Sequence, residues 1–372
     1  MKNNKLCLIY NTAPRYREAI FRAIDVEYDC DWYFGPTKSD IKEMDTRYLK
    51  NVCYYKTYGN PQKWYVKWGM LRLLFKKQYQ TYFIIPSTRS ITDWIFFWLA
   101  FKFFPSKRIY LWTHGWYGKE SAREAKMKLW LYRHATGVFC YGDYACSLLE
   151  KEGIDRSKLY AIHNSLDYDQ QKSLRESISP SSLYADHFGN NNPVIIFIGR
   201  LTKVKQLDMI VDAVSNMRKQ GEDYNLVFVG DGTEKASLEK LVDGLGLKEQ
   251  VWFYGACYDE KQNAELIYNA DLCVAPGNIG LTAMHSLVFG TPAISHDDFK
   301  WQMPEFEAIK VGQTGDFFER NNVQSLAEVI RKWFAEKKDK RDEVRQACYK
   351  EIDTNWNPYY QMELIKEVIK TK

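Results

Sequence analysis

The chain has 372 residues, 45% of them hydrophobic and 27% charged, with a formal net charge of +5. That length leaves room for two domains with sizeable cores, and that composition excludes a disordered chain. The eight cysteines form no Cys-x-x-Cys pair, and Cys7, Cys140 and Cys273 lie inside apolar strand-like runs, so neither a disulfide framework nor a zinc site is indicated.

From the N-terminus, Lys5 to Tyr10 reads as a strand and Tyr16 to Val26 as a helix, joined by the loop NTAPR. Asp31 to Phe34 and Val52 to Tyr55 read as strands, Lys63 to Lys77 as a helix and Tyr82 to Ile85 as a strand. Ser90 or Thr92 is placed to cap a helix ending near Phe104. Strand Arg108 to Thr113, helix Ser121 to His134, strand Val138 to Tyr141, helix Tyr144 to Lys151 and strand Leu159 to Ile162 complete a first alternation. The polar stretch DYDQQKSLRESISPSSLYADHFGNNN is expected to be a linker. The alternation then restarts with strand PVIIFIGRL, helix Leu207 to Met217, strand NLVFVGDG, helix Ala236 to Leu245, strand VWFYGAC and a helix through Leu266 and Ile267. Leu272 to Ala275 is a buried-strand pattern, Leu281, Met284, His285 and Val288 recur at helical spacing, and Ala293 to Ser295 open another strand. Helices Val323 to Glu336 and Asp342 to Ile352 follow, and residues 351–372 are expected to form a terminal helix packing back on the first domain. Strands alternating with helices predict an α/β chain with doubly wound parallel sheets, in domains of residues 1–175 and 190–350 with a ligand cleft between them.

The charge is unevenly placed. Between Arg47 and Ala135 there are 17 Lys and Arg against three acids, Asp93, Glu120 and Glu124, interleaved with aromatics as in KWYVKWGMLRLLFKK and DWIFFWLAFKFFPSKR. Such a mixture suits an anionic membrane surface, and equally it suits an aromatic core with a solvated basic skin. Nucleic acid is not expected as a partner, because no helix-turn-helix, zinc finger or RNA-binding signature accompanies the charge. No run of eighteen uncharged apolar residues is present and the opening MKNNKLCLIYN lacks the blocks of a signal peptide, which predicts a cytosolic protein at the inner face of the membrane.

Chemistry concentrates at the predicted strand ends. Helix N-termini at the carboxyl edge of a parallel sheet attract phosphate, and here that place is Gly277 to Thr282. Gly199 and Arg200 end another strand, with Lys203 and Lys205 in the loop beyond; a planar guanidinium and a mobile ammonium suit a diphosphate held against that helix start. Gly230, Asp231 and Gly232 end a third strand. In the first half, His114 follows a strand in LWTHGWYGKE. Asp29 and Asp31 precede a strand rather than ending one, so they are not read as a metal pair, and no metal cofactor is expected.

The succession IIFIGRLTKVKQLDMIVDA, LVFVGDG, VWFYG, NADLCVAP and GLTAMHSLVFGTPAI resembles the nucleotide-binding half of glycosyltransferase family 4, with a weaker echo in IHNSLD at 162–167. The resemblance covers roughly Pro193 to Phe318 and implies the GT-B fold, two Rossmann-like domains flanking a cleft. It also implies a retaining, metal-independent enzyme moving a sugar from a nucleotide diphosphate to an acceptor. Carried over, Arg200 and Lys205 would hold the diphosphate, Gly199 would lie beside it, and backbone groups near Tyr254 and Gly255 would receive the base. Gly280, Leu281 and Thr282 would supply N–H groups, and His114 would meet the donor sugar. Two glutamates that the family usually carries eight positions apart fall here at Gly277 and His285, and its Lys-Gly pair reads Lys205-Gln206. His285 is accordingly expected to take over the ribose contact and Asn278 to reach the sugar. The loop Asn11 to Arg15, without the glycines often found there, would be a stiff acceptor lip, with Asn11 and Arg15 touching the acceptor.

Three functions stand against one another at this point. The first is sugar transfer to a lipid-linked or oligosaccharide acceptor in surface polysaccharide synthesis. The others are a GT-B epimerase or hydrolase needing no acceptor, and a non-catalytic nucleotide-sugar-binding protein, to which the missing glutamates point.

Overall fold

The computed structural model of the chain describes residues 5–36 and 42–371. It divides into two compact units, one of Met1–Asp167 with Pro358–Lys372 and the other of Tyr168–Asn357.

In the first unit β1 (Lys5–Tyr10) leads into α1 (Glu18–Glu27), followed by β2 (Cys30–Phe34), β3 (Val52–Tyr54), β4 (Thr57–Gly59), β5 (Tyr65–Lys67) and β6 (Tyr79–Ile84). Then come α2 (Ile91–Phe103), β7 (Arg108–Thr113), α3 (Ala122–His134), β8 (Gly137–Cys140), α4 (Asp143–Lys151) and β9 (Leu159–Ala161). Seven strands make one parallel sheet in the order β3-β2-β1-β6-β7-β8-β9, while β4 and β5 form a separate antiparallel ribbon. Strand alternation splits the core by faces: Cys7 and Ile9 join the cluster under α2 to α4, whereas Leu6, Leu8 and Tyr10 join the one containing Ile20, Phe21 and Ile24 of α1.

The second unit contains α5 (Tyr168–Ser177), α6 (Leu183–Phe188), β10 (Val194–Ile198), α7 (Asp208–Arg218), β11 (Asn225–Val229), α8 (Lys235–Gly244), β12 (Val251–Gly255) and α9 (Glu260–Asn269). It continues with β13 (Leu272–Ala275), α10 (Leu281–Val288), β14 (Ala293–His296), β15 (Gly315–Phe318), α11 (Val323–Lys337) and α12 (Arg341–Asn355). Its six-stranded parallel sheet runs β12-β11-β10-β13-β14-β15. The last helix, α13 (Pro358–Thr371), returns to the first unit and packs beside α1, placing Met362, Ile365 and Val368 in that unit's core.

Both sheets grow outward in opposite directions from a central strand, β1 in one and β10 in the other. The crevice for a ligand in such a sheet lies where the strand order reverses, outside the carboxyl ends. In the second unit this point is between β10 and β13, so the loops after Ile198 and Ala275 flank it.

Two expectations are corrected. No helix spans Lys63 to Lys77: Tyr65–Lys67 pairs with Thr57–Gly59, and a 3-10 turn, Met70–Phe75, follows Gly69 at φ +77. Trp64, Tyr65 and Val66 favour extended backbone, and the left-handed glycine stops any helix from running through. Nor is the stretch 167–192 an irregular linker, since it holds α5 and α6, which belong to the second unit. The inner face of α5 is Tyr168, Gln171 and Arg175, a helical spacing written in polar residues that apolar periodicity does not register.

Candidate active site

In the second unit β10 delivers Gly199 and Arg200 to the carboxyl edge, and a 3-10 turn at Lys203–Lys205 carries Lys205 back over the loop after β13. Lys205 Nζ donates to Asn278 O at 2.6 Å and to Asn278 Oδ1 at 2.9 Å, and it lies 4.0 Å from where a Gly280 Cβ would be. Burial, opposed by Glu305 and reinforced by the charge of Arg200, lowers its pKa to about 8. The residue is therefore charged at neutral pH but poorly solvated, the state of a cation that gains from an anion. Gly280, at φ +55, opens α10 without any side-chain cap, and the N–H groups of a helix's first turn have no partner within the helix. Arg200 is exposed beside this arrangement, so the structure brings Arg200, Lys205, Asn278 and the Gly280–Thr282 helix start to one place. The Thr282 hydroxyl is committed elsewhere, donating to Ile198 O at 2.9 Å, which ties α10 to β10 and leaves only its backbone for a ligand. Asn278 spends its side-chain carbonyl on Lys205.

Backbone packing holds the loop rigid. A Cβ on Gly277 would sit 2.0 Å from Val204 O and 2.7 Å from Lys205 Cα, and Gly277 N donates to Lys205 O at 2.9 Å. No side chain fits there, so the glutamate of the family pattern is sterically excluded from this loop geometry. Gln206 adopts φ +49, the left-handed region where the family's glycine would rest without strain, and its amide donates to Asn321 Oδ1 at 2.8 Å. Beneath the loop, Gln302 accepts from Ile279 N at 3.0 Å and donates to Ser295 Oγ at 2.7 Å, and Ser295 Oγ donates to Ala275 O at 2.8 Å. Sequence reasoning missed Ser295, Gln302 and Glu305. Ser295 at a strand's carboxyl end was the one available signal.

His285 stands on α10, half-buried. Its Nδ1 is 3.5 Å from Gln171 Nε2 and 3.9 Å from Glu260 Oε1, and Gln171 Nε2 donates to Glu260 Oε1 at 2.7 Å. Burial lowers its pKa against the pull of Glu260, and side chains of α5 and α9 approach the ring at one nitrogen. Tyr254 and Gly255 end β12; Gly255 O accepts from Gly230 N at 2.8 Å, and the Tyr254 hydroxyl donates to Gln262 Oε1 at 3.0 Å.

Asn11, Arg15 and His114 belong to the first unit. The loop after β1 is pinned by backbone bonds from Arg15 N to Lys42 O, Met44 N to Ala13 O and Arg17 N to Pro14 O, while the Arg15 side chain is exposed. His114 follows β7 with its ring 4.7 Å from that of Tyr141. The ring is solvent-accessible, yet crowding by protein atoms, then the charges of Arg17 and Lys128, push its pKa down to about 4. It is thus a neutral hydrogen-bonding group at physiological pH. Arg17, absent from the sequence reading, is 4% exposed; its guanidinium lies 4.8 Å from the Tyr141 ring centroid and 5.2 Å from that of Trp112, and its Nη1 has no hydrogen-bond partner. Among the described residues no group of three or more His, Cys, Asp or Glu is placed to hold a metal ion.

Residues 185–351 match the family model described as glycosyl transferases group 1. Over 104 residues the chain is 36% identical to a GDP-mannose-dependent alpha-(1-6)-phosphatidylinositol dimannoside mannosyltransferase of Mycobacterium tuberculosis. That match spans 27% of this chain and 26% of the relative, so the likeness covers about a quarter of the curated relative's length. Among solved structures, Anabaena Alr3699/HepE in complex with UDP aligns with a TM-score of 0.74 at 17% identity, over 99% of this chain and 100% of that one. The lipopolysaccharide outer core galactosyltransferase WaaB in its apo form aligns with a TM-score of 0.71 at 14% identity, over 99% of each chain. At such identities the structural likeness speaks for the fold alone, and that fold is GT-B.

Proposed function

We infer that this GT-B chain, whose residues 185–351 match the glycosyl transferases group 1 model, is a retaining glycosyltransferase that moves a sugar from a nucleoside diphosphate to an acceptor hydroxyl. The observation that carries the reading is the convergence of Lys205, Arg200 and the uncapped start of α10 on one edge of the second unit's sheet. In transfer the bond from the anomeric carbon to phosphate oxygen breaks, and the acceptor oxygen bonds that carbon. The acceptor's proton passes to the departing phosphate. Negative charge grows on the leaving diphosphate, where a guanidinium, a poorly solvated ammonium and fixed N–H dipoles stabilise it most. His114, neutral, would hydrogen-bond a sugar hydroxyl, Arg15 and Asn11 would meet the acceptor, and His285 would offer its outer nitrogen to the ribose.

The acceptor we propose is a lipid-linked saccharide, met at the inner face of a membrane during surface polysaccharide synthesis. The mycobacterial relative is named for a phosphatidylinositol glycolipid, which supports this acceptor class. The two cations take the charge that a divalent ion would otherwise carry, so transfer is expected to proceed undiminished in excess chelator. A loss of rate on chelation that magnesium or manganese restores would contradict this.

The test is transfer from UDP- and GDP-sugars to saccharide acceptors, with the anomeric configuration of the product read by NMR. Arg200→Ala and Lys205→Ala should each lower turnover by about 100-fold or more, the scale seen for removing one charge-stabilising donor, with unchanged melting temperature. Full turnover in both variants would remove the assignment. Donor consumption at the same rate without acceptor would instead select hydrolysis or epimerisation, and tight nucleotide binding with no turnover would select a binding protein.

A further inference from the structure

The exposed residues of the first unit's basic window lie along α2 and on the ribbon and turn packed against it. On α2 the outward positions are Ile91, Ile95 and Trp98, spaced by four and three residues, with Lys102 one turn on; its ammonium lies 5.0 Å from the Trp98 ring centroid. The opposite face, Phe96, Phe97 and Ala100, is core. At the start of α2, Lys67 N donates to Thr92 Oγ1 at 2.8 Å, which sets the β4–β5 ribbon against the helix with Trp68 67% exposed and its ring 5.9 Å from that of Tyr58. At the far end, Phe104 meets Phe75, itself 61% exposed and followed by exposed Lys76 and Lys77. Between Tyr54 and Lys107 the sole acid is Asp93, which is buried and paired with Lys67 at 2.9 Å. The face therefore shows large apolar rings and cations and, from this segment, no anion.

We propose that this face, from Tyr58 and Trp68 along α2 to Phe75 and Lys77, docks the chain on an anionic lipid bilayer. Indole and phenyl rings sit at headgroup depth, lysines meet the anionic headgroups, and the stems of Lys102 and its neighbours lie along the rings. Among the described residues no helix is long and apolar enough to cross a membrane. The proposal rests on the membrane-side reading of the function, and its assay omits donor and acceptor so that the two can fail separately.

The purified full chain is sedimented with phosphatidylcholine vesicles containing or lacking a quarter phosphatidylglycerol. Binding is expected only to the anionic vesicles and to weaken with salt. Each lysine at an anionic surface strengthens binding roughly fivefold, so Lys76→Glu with Lys77→Glu should weaken it by at least about 25-fold. Trp68→Ala with Trp98→Ala should weaken it at least tenfold at unchanged melting temperature, the altered residues being exposed. Transfer to a soluble acceptor should be retained by both pairs. Equal binding to both vesicle types, or unchanged binding in both variants, overturns the proposal. So does a dimer of this chain that Trp98→Ala dissociates in the absence of vesicle binding.

Discussion

In the proposed reaction Lys205 is the residue on which the chemistry turns, and its titration gives a direct check. Its pKa is lowered to about 8 chiefly by burial, so the ammonium is present below that pH and is lost above it. Affinity for UDP or GDP is therefore expected to fall as pH rises through 8, approaching tenfold per unit, while Lys205→Arg, which never loses its charge, should stay flat. A wild-type profile that is level to pH 9.5 would show that Lys205 does not meet the diphosphate. Gly277 gives a second check: Gly277→Ala drives a methyl into Val204 O and the Lys205 backbone, and a displacement of about 1 Å at a reacting centre can cost 100-fold. Turnover should fall on that scale and the melting temperature with it; kinetics within threefold of wild type would mean the loop is free to move. Arg200, Lys205 and Gly280 were legible in the sequence because each sits at a strand end or helix start that short-range patterns mark. Ser295, Gln302, Glu305 and Gln171 were not, because they come from β14, the segment after it and α5, and no local spacing records which group each one meets. Arg17 escaped for another reason: its partners are rings contributed by β7 and by the residue after β8.

At the scale of elements, most strands and helices could be read from periodicity and caps. Ser90 does cap α2, accepting from Asp93 N at 3.2 Å, and Ser121 caps α3 in the same way. The ribbon β4–β5 was misread because its register depends on α2, against which Lys67 is buried. Burial alone would lower the Lys67 pKa, but Asp93, Tyr55 and Tyr65 together hold it above its ordinary value. Asp93 also accepts from Ser87 N at 3.0 Å, so the carboxylate anchors the loop before α2 as well as the ribbon. Removing one partner of a buried pair strands the other charge, at about 3–5 kcal/mol. Lys67→Met is expected to cost about that much in denaturant unfolding, and adding Asp93→Asn, which removes the stranded charge and keeps an acceptor for Ser87, should recover more than half. A double variant no more stable than the single one would mean the ion pair is not what ties ribbon to helix.

For the molecule as a whole, the chain folds as two doubly wound units, but the sequence does not order them in a simple row. The last helix crosses back: α13 contributes Met362, Ile365 and Val368 to the first unit's core, and its polar residues finish the loop after β9. Gln361 Oε1 accepts from Ser165 Oγ at 2.7 Å, Gln361 Nε2 donates to His163 O at 3.1 Å, and the Tyr360 hydroxyl donates to Ala161 O at 3.0 Å. Burying three such apolar side chains is worth roughly 1.5–3 kcal/mol each, about 5–9 kcal/mol together. A domain's whole stability is about 5–15 kcal/mol. A chain ending at Asn357 should therefore lose the first unit's fold while residues 168–357 keep theirs, since that unit's sheet and core are complete without α13. Limited proteolysis should then leave a resistant fragment beginning near Tyr168 and clear everything before it. Full-length chains should instead be cut first at loops, and Gln361→Ala, which leaves the buried Ser165 hydroxyl without its acceptor, should fall between the two with a loss of about 1–3 kcal/mol. If the truncated chain protected both units equally, the first sheet would have to be stable with one flank of its core open to water. The placement of α13 would then be a dispensable addition to the fold.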